Sequence, residues 1–298
     1  MSDSQFLSLG LVQFAHTGSS SGNRVRVEEL IREAYARGAR IIVSPELLEG
    51  PYFCQREDSV EFDRAVRAGE GPGFALFEKL SRELGCVLTY SFFERANQSY
   101  FNSLAVFDGT RGCLGIYRKS HIPDGPGYEE KFYFNPGDTG FQVFDTSQGR
   151  VGTAVCWDQW FPEAARILTL KGAECLVYPT AIGSEPAEPD VDSKDHWQRV
   201  MQGHAGANLI PVVACNRHGH EEGPGGGITF YGSSFITDSW GAIEEQLPRG
   251  EDGVIVADFD RKEMQRQRAS WGFFRDRRPE HYRALVSLDG NEDSVFQA

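Results

Sequence analysis

The chain has 298 residues, of which 40% are hydrophobic and 24% are charged, and this profile excludes a disordered, collagen-like or miniature protein. Its 43 acidic residues outnumber its 30 basic residues, which gives a formal net charge of −13. Nucleic acids and anionic membrane surfaces both require a basic face, so we expect neither as a partner, and the acidic balance weakly favours neutral or cationic ligands.

Strand and helix patterns alternate along the chain. The predicted strands cover residues 6–14, 41–43, 86–93, 103–107, 114–117, 151–155, 176–178, 210–215, 228–236 and 254–259. The predicted helices are one capped by Asn23 and ended by Gly38, one around 77–84 ended by Gly85, one opened by Pro162, and one capped by Asp192 or Ser193. The alternation predicts one α/β domain over residues 1–298, with loose ends at about 1–5 and 290–298.

The arrangement of the cysteines and the length of the apolar segments indicate the cellular compartment of the protein. The six cysteines are Cys54, Cys86, Cys113, Cys156, Cys175 and Cys215. They form no C-x-x-C pair, which speaks against a zinc ribbon or a thioredoxin-type redox motif. No apolar run reaches the roughly 18 residues of a membrane span, and the first residues lack the basic start of a secretory signal. We therefore expect a cytoplasmic protein with free thiols.

The sequence contains two motifs that are typical of a nucleophile elbow and of a metal site, but the position of each motif does not suit that function. Residues 18–22 match the G-x-S-x-G pattern of a hydrolase nucleophile elbow, but they begin several residues after the predicted strand and are interpreted as a linker. His218 and His220 lie beside two acidic residues, yet their glycine neighbours favour a surface loop over a metal site. The segment over 219–227 is predicted to be a mobile hairpin loop.

Three strand ends carry side chains capable of catalysis. Glu46 follows the strand over 41–43, Lys119 follows the strand over 114–117, and Cys156 lies between a strand and a helix. Carboxyl ends of strands in open α/β sheets form sites, so the three side chains can share one crevice. A carboxylate can take a thiol proton and a lysine can stabilise an oxyanion, while a helix amino terminus and a nearby ammonium favour a thiolate. Each residue alone is equally compatible with packing or surface charge.

Glu46 lies in the segment IIVSPELLEGPYF, Lys119 in YRKSHIPDGPGYEEKFYFNPGDTGF and Cys156 in CWDQWFPEAAR. Two further distinctive segments are EGPYFCQ and DHWQRVMQGHAGAN. The segments resemble the nitrilase superfamily of carbon-nitrogen hydrolases over nearly the whole chain. The resemblance implies a nitrilase-like α-β-β-α four-layer sandwich, with Glu46 as general base, Lys119 as oxyanion-stabilising lysine and Cys156 as nucleophile. It also implies that Glu130 is an additional glutamate that orients the site and that the Trp157 backbone amide is a second oxyanion donor.

The resemblance further implies hydrolysis of a small cationic ureido substrate through a cysteine thioester, with no metal or organic cofactor. Glu185 is our candidate for holding the ammonium of such a substrate, and Tyr128 for lining the pocket. Carbamoyl amino acids would need a carboxylate-binding residue instead, usually arginine. The alternatives are a carbamoyl amino acid or ω-amide hydrolase, or a non-catalytic binding protein on the same fold. The resemblance also implies a homo-oligomer built from dimers.

Overall fold

The computed structural model describes residues 4–291, which form two six-stranded sheets and a two-stranded hairpin. The first sheet contains β1 (Phe6–Gln13), β2 (Ile41–Val43), β3 (Val87–Ala96), β4 (Ser99–Asp108), β5 (Gly112–Arg118) and β14 (Gly253–Asp260). The second contains β6 (Gln142–Thr146), β7 (Gly149–Thr153), β8 (Cys175–Thr180), β9 (Val212–Asn216), β12 (Phe235–Thr237) and β13 (Ile243–Gln246). The hairpin pairs β10 (His218–Glu221) with β11 (Ile228–Tyr231). The ends predicted to be loose lie largely outside the described residues.

Helices cover the outer face of each sheet. The helices are α1 (Ser20–Ala36), α2 (Gly71–Leu84), α3 (Glu130–Tyr133), α4 (Pro162–Leu170), α5 (Lys194–Asn208) and α6 (Arg261–Trp271). Apolar residues of α1 and α2 pack on the first sheet, and those of α4 and α5 pack on the second. A third apolar cluster fills the space between the sheets. The layers therefore follow the order α-β-β-α, and the predicted fold class is confirmed.

Strand direction brings several carboxyl ends to the same edge of each sheet. In the first sheet β1, β2 and β3 are parallel, whereas β4 is antiparallel to both β3 and β5. Consequently β5 runs in the same direction as β2. In the second sheet β7, β8 and β9 are parallel. The segments that follow β2, β5 and β7 contain Glu46, Lys119 and Cys156, respectively.

The strand predicted over 228–236 is divided into two. Its first part forms β11 of the hairpin, and its second part forms β12 at the far side of β9. Gly232 and Ser233 separate them with φ angles of +51° and +54°. This left-handed conformation turns the chain and ends a strand. The apolar pattern predicts strand structure on both sides of the turn, and both strands are present, but it does not predict the turn between them.

The cap of α1 also differs from the prediction. The Ser19 side chain accepts a hydrogen bond from Gly22 N at 3.0 Å and caps the helix. Asn23 lies inside the first turns, where its side chain accepts from Thr17 N at 2.8 Å and donates to Leu48 O at 2.7 Å. Asn23 thus fastens the helix to the segment that follows β2. Within residues 4–291, no helix has the length and apolar character needed to cross a membrane.

Candidate active site

Glu46 lies three residues beyond β2 and is fully buried. Its Oε1 accepts hydrogen bonds from Lys119 Nζ at 2.9 Å and from Asn102 Nδ2 at 2.7 Å. Its Oε2 is buried without a hydrogen-bond partner among the described residues. Because one oxygen is occupied by two donors, the other is the oxygen available to receive a proton.

Lys119 lies between two buried carboxylates. Its Nζ donates to Glu46 Oε1 and, at 2.6 Å, to Glu130 Oε2. Burial alone would lower the pKa of Lys119, but Glu130 and Glu46 outweigh it and hold that pKa well above its ordinary value. The side chain is therefore an ammonium ion. An ammonium has three N–H donors, so one remains for a substrate oxygen.

Glu130 begins the single turn of α3 and is also buried. Its second oxygen, Oε1, accepts from the Tyr52 hydroxyl at 2.7 Å. Burial raises the pKa of Glu130 while Lys119 opposes the change and Glu46 adds to it. Both oxygens of Glu130 have fixed donors, so its contacts orient Lys119.

Cys156 begins one turn of 3₁₀ helix over Cys156–Trp160, directly after the second-sheet strand β7. Its φ of +42° lies in the left-handed region, which non-glycine residues rarely adopt outside functional sites. The thiol is buried 3.8 Å from Ala181 O. Burial and the Glu46 carboxylate raise the pKa of the Cys156 thiol well above its ordinary value, although Lys119 opposes them. The expectation of a favoured thiolate is therefore wrong for the resting site, where Cys156 is a neutral thiol.

A cavity of about 330 Å³ opens beside the thiol of Cys156. The indole of Trp157 is 40% exposed and lines this cavity, and its backbone lies in the first helical turn, where N–H groups have no intrahelical acceptor. The acidic residues that line the cavity are Asp124, Glu130, Glu185 and Glu188. No lysine or arginine of the described chain is among its lining residues. The cavity therefore suits a cationic molecule better than an anionic one.

Tyr128 and Glu185 both line this cavity. The Tyr128 hydroxyl donates to Ser184 O at 3.0 Å and accepts from Gly183 N at 3.2 Å. Because the hydroxyl is occupied by the backbone, Tyr128 offers its ring to the cavity and fixes the segment that carries Glu185. Burial and the neighbouring Glu188 raise the pKa of Glu185, while Ser193 opposes the change.

Several residues that support the site were not found from sequence. Asn102 and Tyr52 hold the two glutamates described above. Arg217 donates to the carbonyl oxygens of Glu46 at 2.8 Å and Leu47 at 2.9 Å, and to Glu221 Oε1 at 2.7 Å. Their only signal is polarity next to apolar strands, which many surface residues share.

The hairpin is the clearest departure from the sequence interpretation. His218 and Glu221 are buried rather than part of a surface loop. The His218 ring lies 2.7 Å from Asp252, and the second carboxylate oxygen of Glu221 accepts from the backbone N–H of Tyr52. These polar contacts of β10, together with the buried side chains of Ile228 and Phe230 in β11, hold the hairpin against the active site.

A model of the carbon-nitrogen hydrolase family matches residues 8–269. The chain belongs to the carbon-nitrogen hydrolase family. A solved carbon-nitrogen hydrolase from Helicobacter pylori superimposes with a TM-score of 0.86 at 38% identity, covering 95% of this chain and 99% of the other. The resemblance to the nitrilase superfamily is thus confirmed, and the protein is a carbon-nitrogen hydrolase enzyme.

Two similar relatives of this carbon-nitrogen hydrolase differ in the substrates in their names. The chain is 54% identical over 285 residues to an N-carbamoylputrescine amidase of Arabidopsis thaliana, covering 94% of this chain and 95% of the relative. It is 50% identical over 280 residues to a citrullinase of Francisella tularensis, covering 94% and 98%. Both named substrates carry a ureido group at one end. They differ at the other end of the molecule, and the residues that line the cavity would distinguish the two substrates by that end.

Proposed function

We propose that this carbon-nitrogen hydrolase cleaves the ureido group of N-carbamoylputrescine to putrescine, carbon dioxide and ammonia, and so serves polyamine synthesis. The observation that carries the proposal is the cavity beside Cys156, which four carboxyl groups line without a lysine or arginine among the described residues. N-carbamoylputrescine presents an ureido group at one end and an ammonium at the other. The similarity to N-carbamoylputrescine amidases supports the same substrate.

In the first step, Cys156 Sγ attacks the ureido carbon while its proton passes to Glu46 Oε2. Concerted transfer is needed because the pKa of the buried thiol is raised. The carbonyl oxygen becomes an oxyanion, which the third N–H of Lys119 and the Trp157 backbone amide stabilise. Each such donor contributes about 3 kcal/mol to the stability of the transition state in comparable sites.

In the second step, the tetrahedral intermediate collapses and its C–N bond to the terminal nitrogen breaks. Glu46 returns the proton to that nitrogen, so ammonia leaves and a carbamoyl thioester remains on Cys156. Glu46 then deprotonates a water molecule, which attacks the thioester through a second oxyanion. The thiol is released with a carbamic acid, and this acid loses carbon dioxide to give putrescine.

Glu185 lines the same cavity as Cys156, and we assign to it the binding of the substrate ammonium. It is half-buried, and its segment is fastened by the Tyr128 hydroxyl. A hydrogen bond to a charged group contributes about 1.5–3 kcal/mol, or roughly 10- to 100-fold in affinity. Citrulline carries a carboxylate beside its ammonium, and that carboxylate would face the acidic lining without a cation. The arrangement therefore favours the diamine derivative over the amino acid.

The proposal is tested by measuring kcat and KM for N-carbamoylputrescine, citrulline and the neutral analogue N-butylurea. We expect kcat/KM to be at least tenfold higher for N-carbamoylputrescine than for citrulline. Glu185→Gln should raise KM for N-carbamoylputrescine about tenfold or more and leave the kinetics of N-butylurea nearly unchanged. The exposed hairpin variant Glu222→Gln is the matched control. Preference for citrulline, or equal effects of Glu185→Gln on all substrates, would contradict the assignment.

We also propose that the enzyme is a cytoplasmic homo-oligomer built from dimers. All six cysteines are free thiols, which suits a reducing compartment. Apolar side chains are exposed on the outer face of α4, at Ile167 and Leu170, and on the nearby segment that contains Leu285 and Val286. Contiguous apolar surface of this kind is typical of protein interfaces.

A further inference from the structure

The side chains proposed to act on one substrate oxygen belong to different sheets. Lys119 follows β5 of the first sheet, and Cys156 follows β7 of the second. The two sheets meet through apolar side chains, which resist separation but give little directional control. A site divided in this way needs a polar contact across the gap to fix the position of the thiol relative to the ammonium.

Asp158 makes such a contact. It lies two residues after Cys156 and is fully buried. Its Oδ2 accepts from Val155 N at 3.0 Å and from the Tyr117 hydroxyl at 2.6 Å. Its Oδ1 accepts from His121 N at 2.9 Å and lies 2.7 Å from His121 Nδ1. One carboxylate therefore binds groups of both sheets.

The sequence positions of these partners are informative. Val155 comes directly before Cys156, and Asp158 comes two residues after it. Tyr117 and His121 lie two residues before and two residues after Lys119. The carboxylate thus joins a residue on each side of the lysine, through the Tyr117 hydroxyl and the His121 backbone N–H, to the turn that presents the nucleophile. His121 is restrained from its other side as well, because its ring stacks on Phe161 with centroids 3.6 Å apart and planes 8° apart.

We propose that Asp158 is a positioning residue that sets the distance between the Cys156 thiol and the Lys119 ammonium, and thereby the geometry of the oxyanion site. The proposal rests on the roles given to these two residues under the proposed function. Asp158 does not touch the substrate cavity, and it acts through its four hydrogen bonds. Displacement of a reacting group by about 1 Å can reduce a rate by about 100-fold.

The test uses His121, because its side chain is one-third exposed and its replacement should leave the fold intact. His121→Ala removes the ring donor to Asp158 but keeps the backbone N–H donor. His121→Asn places an amide nitrogen where Nδ1 lies and should restore the contact. We expect His121→Ala to lower kcat about tenfold with KM changed less than about twofold, and His121→Asn to recover most of this loss. His220→Ala, on the exposed face of the hairpin, is the matched control and should retain wild-type kcat.

A second measurement separates positioning from a general defect. Iodoacetamide alkylates a thiol by direct displacement and forms no oxyanion, so the alkylation rate of Cys156 should stay within about twofold in His121→Ala. The reaction is followed on the Cys156 peptide by mass spectrometry, because Cys113 is also exposed. A parallel fall in alkylation and kcat would show that Asp158 acts on the thiol itself and would overturn the proposal. The proposal would also be overturned if His121→Asn were as slow as His121→Ala.

The two proposals fail in different ways. Turnover of neither N-carbamoylputrescine nor citrulline by the wild-type enzyme would overturn the proposed chemistry and the role of Asp158 with it. Normal wild-type turnover together with an unaffected His121→Ala would overturn the positioning role alone. Turnover of citrulline instead of N-carbamoylputrescine would leave the positioning role in place, because the oxyanion is the same for both ureido groups.

Discussion

Replacing Arg217 with glutamine would remove a buried ion pair that supports the backbone of Glu46 from the second sheet. Arg217 is 4% exposed, and its guanidinium lies 2.7 Å from Glu221 Oε1. It also donates to the carbonyl oxygens of Glu46 and Leu47. The substitution takes away the cation and leaves the Glu221 carboxylate in the interior without its counter-charge. We expect the variant to lose both stability and activity.

The loss of stability follows from the burial of the pair. Removing one partner of a buried ion pair costs about 3–5 kcal/mol, because the remaining charge has no compensation. Leu47 adds to this sensitivity, since its φ of +46° is a strained conformation for leucine. Such conformations cost on the order of 1–3 kcal/mol and persist only where the surroundings enforce them. Without Arg217 on its carbonyl oxygen, the Glu46–Leu47 backbone should relax and move the Glu46 carboxylate.

The assay is urea unfolding at equilibrium, combined with kcat for the proposed substrate. We expect the free energy of unfolding to fall by about 3–5 kcal/mol and kcat to fall with KM little changed. Arg82→Gln is the control, because Arg82 pairs with Glu78 at 2.9 Å with side chains 63% and 45% exposed. Exposed pairs contribute only about 0–1 kcal/mol. A loss below about 1 kcal/mol in Arg217→Gln, with kcat retained, would refute the reasoning.

Two further predictions concern the nucleophile and the assembly. The pKa of the Cys156 thiol is raised, so its thiolate forms only above the usual pH range. Alkylation of Cys156 should therefore keep rising with pH beyond about 8.5, the ordinary thiol pKa, and a plateau at lower pH would contradict the assigned direction. Light scattering should give the mass of at least two chains, with the double variant Leu285→Ser and Val286→Ser shifted toward smaller species. A wild-type monomer would contradict the proposed dimer.

Much of the fold could be predicted from local patterns, but the two edge strands of the second sheet, β6 and β13, could not. The apolar triplet of β2 identifies a buried strand, since both of its faces are covered. By contrast, three of the four residues of β13 are exposed, so this strand shows no apolar alternation. Among the described residues it pairs with β12 alone, and Ile243 is its one side chain that packs against the core. An edge strand of this kind is formed by backbone pairing, which the sequence pattern does not report.

In the site as well, some features follow from neighbouring residues in the sequence, and others depend on tertiary contacts. Glu46, Lys119 and Cys156 each follow an apolar strand, which makes them candidates, and the resemblance to the nitrilase superfamily is what singles them out. The charge state of the thiol was predicted wrongly, because helix position and a nearby lysine are local features whereas complete burial beside a carboxylate is not. Asn102 has no local signal beyond its polarity. It lies within β4 and becomes part of the site only because β4 lies next to β5 in the sheet.

The site is divided between the two sheets, and this explains why the supporting residues make contacts from one sheet to the other. Glu46, Lys119 and Glu130 belong to the first half of the fold, and Cys156 belongs to the second. Asp158 reaches from the second sheet to the flanks of Lys119, while Arg217 reaches from the second sheet to the backbone of Glu46. Because each contact fixes relative position rather than filling a core, weakening an exposed member such as His121 should reduce kcat more than it reduces stability. Large losses of both should be confined to members such as Arg217, whose removal leaves a buried charge.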